Sequence, residues 1–187
     1  MGQIYNDNYS TSIFDKLVGN GFGYTVTFYS GFSLVAGGLT AVLAIEKLGR
    51  ETMIVWGFLG QIILMWVLSV SFYLDIIWLA VGTNLAFSFM LYFSNVGVCY
   101  VWPNECAQPF VCGLGICVNW ILKSVMSEIL PYIYEGLPLY FTPLIMSVAG
   151  TVCFILTRPL FIETKGKSIQ AIADEFARFE YSLLKRN

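Results

Sequence analysis

Two ionisable side chains stand inside an otherwise apolar stretch, and they are the first candidates for chemistry. Lys123 and Glu128 interrupt a run over residues 109–134 that carries no other charge. A charged group at membrane depth is costly, so it usually faces a cavity, a partner or an opposite charge. The two residues are five apart, about 140° around a helix, and therefore do not pair well with each other.

A second set of polar groups lies beside Lys123. Asn119 precedes it by four residues, so the two side chains share one helix face, with Trp120 next to them. A stripe of amide, amine and aromatic ring is typical of a cavity lining. The alternative, which stays open, is that Lys123 bonds to carbonyls or acids of neighbouring helices or extends toward the membrane surface.

Catalytic and metal chemistry have little support. The chain has no histidine, which removes histidine general bases, Ser–His and Cys–His pairs and ordinary zinc sites. Its five cysteines form no C-x-x-C pair and are best interpreted as small buried hydrophobes. A net charge of −2 without a basic run argues against nucleic-acid binding. We therefore predict no enzyme, no metal or cofactor and no nucleic-acid partner.

The elements that position these groups must be apolar helices. Of 187 residues, 57% are hydrophobic and 12% are charged, with a mean hydropathy of +0.71; the charged share is about half that of soluble domains. A membrane span takes about 20 apolar residues. Short connections join five stretches of sufficient length: 24–45, 53–74, 76–102, 109–134 and 137–157. With a doubtful span before Asp15, the sequence predicts an all-α integral membrane bundle of five to six transmembrane helices.

Several residues inside these stretches are expected to serve packing. Polar side chains on the inner faces of the third stretch predict interhelical hydrogen bonds: Asn84, Ser88, Ser94 and Asn95. Glycines predict close helix approach at Gly37, Gly38, Gly113 and Gly115. Prolines predict breaks or kinks in the last two helices at Pro131, Pro138 and Pro143.

Basic residues predict the orientation in the membrane. Eight share one side, whereas Lys16 alone lies on the other: Lys47, Arg50, Arg158, Lys165, Lys167, Arg178, Lys185 and Arg186. This bias places the C-terminus on the cytosolic or matrix side, so the plasma membrane and the mitochondrial inner membrane are the two expected locations. Apolar residues at helical spacing over 161–187 predict an amphipathic helix there. It packs under the bundle, or it docks on a partner or on the lipid surface.

Three local patterns resemble the sugar porter family of the major facilitator superfamily. Residues 46–51, E-K-L-G-R-E, resemble the acidic-x-x-Gly-Arg-Arg loop after helix 8 of that family. Residues 100–105, Y-V-W-P-N-E, are similar to its W-x-Y-P-A-E stretch, and residues 162–168, I-E-T-K-G-K-S, to its P-E-T-K-G-x-S signature. Residues 9–14, Y-S-T-S-I-F, and the pair Asn119-Trp120 resemble parts of helices 7 and 11.

The resemblance implies one half, helices 7–12, of a twelve-helix transporter. Residues 1–20 would then be a truncated helix-7-like segment, residues 21–160 the transmembrane bundle and residues 161–187 the tail. It also implies an intracellular charge cluster of Glu46, Arg50, Glu105 and Glu163. Glu51 stands where the family has a second basic residue, which is expected to weaken this cluster.

The resemblance further implies a substrate cavity, but the chain departs from the family there. The candidate lining is Tyr92, Tyr100, Asn119, Trp120 and Lys123. The family's Q-x-x-G-I-N motif is missing, its helix-10 acid falls near Tyr92, its helix-10 Trp becomes Tyr100, and an Asn becomes Lys123. Because Asn119 and Trp120 alone keep the family's residue types, we expect that this chain by itself does not bind sugar.

Two functional hypotheses follow. The first is a degenerate half of a sugar-transporter-like protein that serves as a structural or accessory subunit of a larger membrane complex, such as an energy-transducing one. Its partners would be the lipid bilayer and other membrane subunits. The second is half of a split or homodimeric sugar or solute transporter, which works by alternating access against a second six-helix half.

Overall fold

A computed structural model describes residues 10–19, 21–96, 109–161, 164–167, 170–172 and 174. The helices with described bounds are α1 Ser10–Val18, α2 Phe22–Leu48, α3 Arg50–Tyr73, α4 Ile77–Met90, α5 Pro109–Gly136 and α6 Phe141–Thr157. A π-helical turn, Leu91–Val96, continues α4, and a 3-10 turn, Arg158–Leu160, follows α6. No strand occurs in these ranges, so the predicted all-α bundle is confirmed.

Four helices are long and apolar enough to cross a membrane. They are α2, α3, Ile77–Ser94 and Phe110–Ile133, and α6 is a shorter apolar helix of 17 residues. The N-terminal segment that the sequence left doubtful contains the nine-residue α1. Within the predicted tail helix, 161–187, the described residues 161 and 164–167 are not helical, whereas 170–172 and 174 are helical and Ile172 is buried.

Glycine and aspartate fix the first two connections. Gly49 separates α2 from α3 with φ of 87°, a conformation that side-chain-bearing residues rarely adopt, and its N–H donates to Ile45 O at 3.3 Å. Asp15 in α1 accepts a 2.8 Å hydrogen bond from the Gly23 N–H in the first turn of α2. That N–H would otherwise have no partner within its helix, so Asp15 ties α1 to the start of α2.

The main hydrophobic core joins α1, α2, α3, α4 and the π turn. Its buried members are Ile13, Phe14, Val26, Met65, Leu68, Phe72, Ala80, Phe87 and Leu91. Phe14 is fully buried and lies with its ring 6.2 Å from that of Phe72. The short α1 is therefore part of the core and not a peripheral segment. A smaller cluster of Leu130 and Met146 joins α5 to α6.

Glycine allows close helix approach at three positions in the described bundle. A Cβ at Gly23 of α2 would meet the backbone carbonyl oxygen of Thr11 in α1. A Cβ at Gly37 of α2 would meet the backbone carbonyl oxygen of Phe89 in α4. A Cβ at Gly57 of α3 would meet the side chain of Ser94 in the π turn. At Gly38, Gly113 and Gly115 a Cβ would meet no described atom within 4 Å. The predicted close approach is therefore present at Gly37, and Gly23 and Gly57 were missed.

The prolines act at the α5–α6 connection more than inside the helices. α5 continues through Pro131 to Gly136, so the predicted break there does not occur. Pro138 lies in the connection, where its carbonyl accepts from the Phe141 N–H at 2.9 Å. Pro143 falls in the first turn of α6, where a missing N–H costs no helical hydrogen bond. As a result α6 begins at Phe141, four residues later than the sequence predicts.

Four exposed tyrosine and tryptophan residues lie at one end of the bundle. The starts of α2 and α4 and the ends of α3 and α5 carry Tyr24, Trp78, Tyr73 and Tyr132, all exposed. Successive helices alternate in direction, so these positions share one end. Lys47, Arg50 and Arg158 lie at the opposite end, where α2 ends, α3 begins and α6 ends. Aromatic rings of this kind favour the boundary between lipid and water.

Candidate functional site

A ten-residue stretch in the first half of α5 is exposed on every side. Residues 113–122 are all exposed, and ten residues make nearly three helical turns. The buried positions of α5 in the described chain are Cys112, 7% exposed near its start, and Leu130, 0% exposed near its end. Leu130 packs against Met146 of α6. The helix thus has one buried residue on each side of this exposed stretch, residues 113–122.

Two of the predicted cavity residues meet in this open region. The Lys123 Nζ atom lies 4.9 Å from the centre of the Trp120 ring, a cation–π contact. Trp120 is 57% exposed and Lys123 is partly buried, whereas Asn119 is exposed on the same face. A cation–π contact contributes about 0.5–1 kcal/mol at an exposed site, too little to offset placing a charge in hydrocarbon.

The remaining predicted cavity residues are not part of this group. Tyr92, in the π turn, is partly buried and packs against the main core of α1–α4. Tyr100 lies outside the described residues. The structure therefore brings Trp120 and Lys123 together, with Asn119 on the same helix face, and places Tyr92 in a different environment.

Polar side chains inside the bundle bond to one another. Asn84 Nδ2 in α4 donates to Ser30 Oγ in α2 at 3.2 Å, and Asn84 is fully buried. Gln61 Nε2 in α3 donates to Ser94 Oγ at 3.1 Å, and Ser94 in turn donates to the Met90 carbonyl at 2.8 Å. The predicted interhelical hydrogen bonds are confirmed for Asn84 and Ser94.

At the other two polar residues of this stretch the interhelical prediction stays untested. The Ser88 hydroxyl donates to the Asn84 carbonyl of its own helix at 2.9 Å. The Asn95 side chain lies outside the described residues. Gln61 was missed, although a glutamine in the middle of an apolar stretch was a signal that could have found it. Within the described chain, Asn84 Oδ1 is buried without a hydrogen-bond partner.

The chain segment after α6 contacts α2 and α3 at the end of the bundle where the basic residues lie. We call residues 158–161 and 164–167 the strap. Arg158 Nη2 lies 3.2 Å from Glu51 Oε1 at the start of α3, and the Phe161 ring stacks on Phe58 with 6.2 Å between centres. Lys165 Nζ donates to the Lys47 carbonyl at the end of α2 at 3.2 Å. The strap therefore connects α2, α3 and α6.

The predicted charge cluster is described only in part. Glu46 is exposed near the end of α2, Arg50 is partly buried at the start of α3, and Glu105 and Glu163 lie outside the described residues. Glu51, which stands where the family has a second basic residue, forms an ion pair with Arg158. The signal was their placement: Glu51 begins one span and Arg158 directly follows another that ends on the same side.

The described cysteines, which form no disulfide, lie in two environments. Cys112 is buried as predicted, but Cys117 and Cys153 are exposed at the helix surface, so the buried interpretation is wrong for those two. Among the described residues, no group of three or more His, Cys, Asp or Glu side chains is placed to hold a metal ion.

Long apolar helices packed as one all-α bundle define the class of protein: an integral membrane helical bundle. The sequence matches the family described as "Sugar (and other) transporter" over residues 1–176, and the chain belongs to that family. This membership points to a transporter and not to an enzyme.

A curated relative agrees with this assignment. The chain is 25% identical over 172 residues to the arabinose-proton symporter of Bacillus subtilis (strain 168). The match covers 88% of this chain and 37% of that protein, so the chain spans little more than a third of the relative's length.

Proposed function

We propose that this chain is a degenerate, C-terminal-half-type member of the sugar transporter family that serves as a structural or accessory subunit of a larger membrane complex. One observation carries the proposal: residues 113–122, in the first half of α5, are exposed on all sides although they include the amide of Asn119. A polar group that faces hydrocarbon without a hydrogen-bond partner is costly, so this helix is built to be covered by protein.

The hydrogen bonds inside the bundle support a structural role. A neutral sugar is held by donors and acceptors that are free to reach it. Here the amides of Asn84 and Gln61 donate to Ser30 and Ser94. Tyr92, where the family has an acid, packs against the core. Few groups remain to bind a polyol, and sugar binding by this chain alone is not expected.

The ends of the bundle support an orientation. The basic residues at the strap end favour the cytosolic or matrix side, and the exposed aromatic residues mark the opposite boundary. The proposed location is therefore the plasma membrane or the mitochondrial inner membrane, with the C-terminus on the cytosolic or matrix side.

The test is purification of the tagged protein from its native membrane in mild detergent, with native gel sizing and mass spectrometry. A structural subunit is expected in one large complex in constant proportion to its partners, and its level is expected to fall when a partner is deleted. Recovery as a stable, well-folded monomer would contradict the proposal.

The second candidate is half of a split or homodimeric transporter, and the open face of Asn119, Trp120 and Lys123 favours it. In such a protein two six-helix bodies rock around a midplane site at their interface, and a lysine there selects an anionic solute. In that case the chain is recovered with one six-helix partner, or with itself at about twice its 21.0 kDa mass. Uptake into vesicles should then disappear in the Lys123→Met variant and persist in Glu128→Gln.

A further inference from the structure

Lys123 lies close to the middle of a membrane-spanning helix. It follows Pro109 by 14 residues and precedes Gly136 by 13, so it is about 20 Å from either end of α5 at 1.5 Å per residue. A lysine near a helix end can extend its ammonium group to the membrane surface. From this depth the side chain is too short to do so.

The described chain gives this ammonium group no opposite charge. Its contact is the face of Trp120 at 4.9 Å. The carboxylate of Glu128 is in the same helix, but it lies five residues further along and about 140° around the helix from Lys123. Across the described residues, no carboxylate lies within ion-pair distance of Lys123. Charged groups inside membranes almost always pair with one another or face a cavity.

We propose that α5 packs, through the face of Asn119, Trp120 and Lys123, against a transmembrane helix of another membrane protein that carries an Asp or Glu at the depth of Lys123. This inference rests on the proposed subunit role and specifies the chemistry of the partner. The exposed stretch of α5, residues 113–122, leaves room for a helix to pack beside Lys123. The lysine selects a carboxylate on that helix, and the Asn119 amide supplies further hydrogen bonds.

A second copy of this chain does not meet that requirement. Around a two-fold axis along the membrane normal, Lys123 would lie at the same depth as its own copy, which places like charges together. Glu128 would be about 7.5 Å away in depth and on a different helix face. The charge pattern therefore favours a different protein over a homodimer.

The first part of the test is photocrosslinking in the native membrane. A photoreactive amino acid replaces Asn119, and the crosslinked peptide is identified by mass spectrometry. We expect a transmembrane helix of another protein with an Asp or Glu within one turn of the crosslinked position. The matched control places the same amino acid at Val125, which is about 200° around the helix from Lys123 and is expected not to capture that helix.

The second part changes the charge. Lys123→Met is expected to lower recovery of the crosslinked partner about tenfold, as loss of a strong interhelical polar contact would do. Lys123→Arg keeps the charge and should keep the partner, as should Glu128→Gln. Lys123→Glu should lose the partner and regain it when the partner's acid is changed to Lys. If the Lys123→Met variant does not accumulate, the test rests on two other results: retention of the partner by Lys123→Arg, and its recovery when Lys123→Glu is combined with the partner's acid changed to Lys.

The outcomes separate this inference from the proposed function. A crosslink to a second copy, to lipid alone or to a helix without an acid overturns the inference, as does unchanged recovery with Lys123→Met. If the chain is still recovered in one large complex in those cases, the subunit role stands. Recovery of the chain alone overturns both.

Discussion

The fully buried amide of Asn84 in α4 donates to Ser30 Oγ in α2 across 3.2 Å. Along the same two helices, Gly37 of α2 lies directly against the Phe89 carbonyl oxygen of α4. α2 and α4 run in the same direction, and this hydrogen bond and this backbone contact follow each other along their interface, beside the main hydrophobic core. Both contacts are independent of any bound molecule, so they can be tested on the purified chain or complex.

The Asn84–Ser30 hydrogen bond should appear as a coupling free energy. Asn84→Ala and Ser30→Ala should each lower the thermal midpoint in detergent, and the double variant should lose less than the sum. Interhelical hydrogen bonds of this type contribute about 0.6 kcal/mol on average and up to about 1.7 kcal/mol. Thr151→Ala, which removes a bond to the Ser147 carbonyl of its own helix, is the control. Strict additivity of the two single changes would refute the coupling.

Gly37→Ala should destabilise the bundle, whereas Gly38→Ala should not. The new methyl group at Gly37 meets backbone, which cannot move aside without separating α2 from α4; forced overpacking costs typically about 1–3 kcal/mol. At Gly38 no described atom lies within 4 Å, and alanine favours a helix over glycine by about 1 kcal/mol. The measurement is the detergent thermal midpoint of both variants. Equal midpoints would show that the close approach at Gly37 does not exist.

Gly57 and Ser94 should respond to an exchange of size. Gly57→Ala is expected to be destabilising because its Cβ would meet the Ser94 side chain. Adding Ser94→Gly should restore part of the loss, although Gln61 then loses its acceptor. The control is Gly60→Ala, since its nearest atom is the flexible end of Met90 at 2.5 Å. No rescue by Ser94→Gly would contradict this packing.

The Glu51–Arg158 ion pair should stabilise the protein only slightly. The side chains are 30% and 45% exposed, and such pairs contribute about 0.2–1 kcal/mol, less at high salt. Glu51→Gln and Arg158→Gln should therefore cost similar small amounts, and the exchange of Glu51→Arg with Arg158→Glu should recover them at low salt. Glu46→Gln, at an exposed position, should have no effect. A loss of several kcal/mol on removing either charge would point to a different role.

Hydropathy predicted the helices because length and apolar composition decide membrane spans directly. It misplaced the start of α6, since Pro138 is apolar enough to extend a hydrophobic stretch but bends the chain before Phe141. It also could not show that α1, at nine residues, is part of the core. That position follows from Phe14 fitting between other helices, and such a fit depends on three-dimensional shape and not on periodicity.

The candidate site was only partly predictable. Helical spacing placed Asn119, Trp120 and Lys123 on adjoining positions, and the cation–π contact agrees with that. Spacing could not reveal that Glu51 pairs with Arg158, because the two residues are far apart in sequence and meet only when α3 and α6 pack. Nor could it distinguish the two similar glycines Gly37 and Gly38, which differ in what lies opposite them.

The exposed stretch of α5, residues 113–122, has a consequence for the abundance of the chain in cells. A lysine near the midpoint of a membrane-spanning helix, next to ten consecutive exposed residues, has an energetic cost in lipid that a covering helix would remove. Under the proposed subunit role, a copy made in excess of its partner would leave that lysine facing lipid. The abundance of the chain would then be set by assembly, whatever the rate of its synthesis.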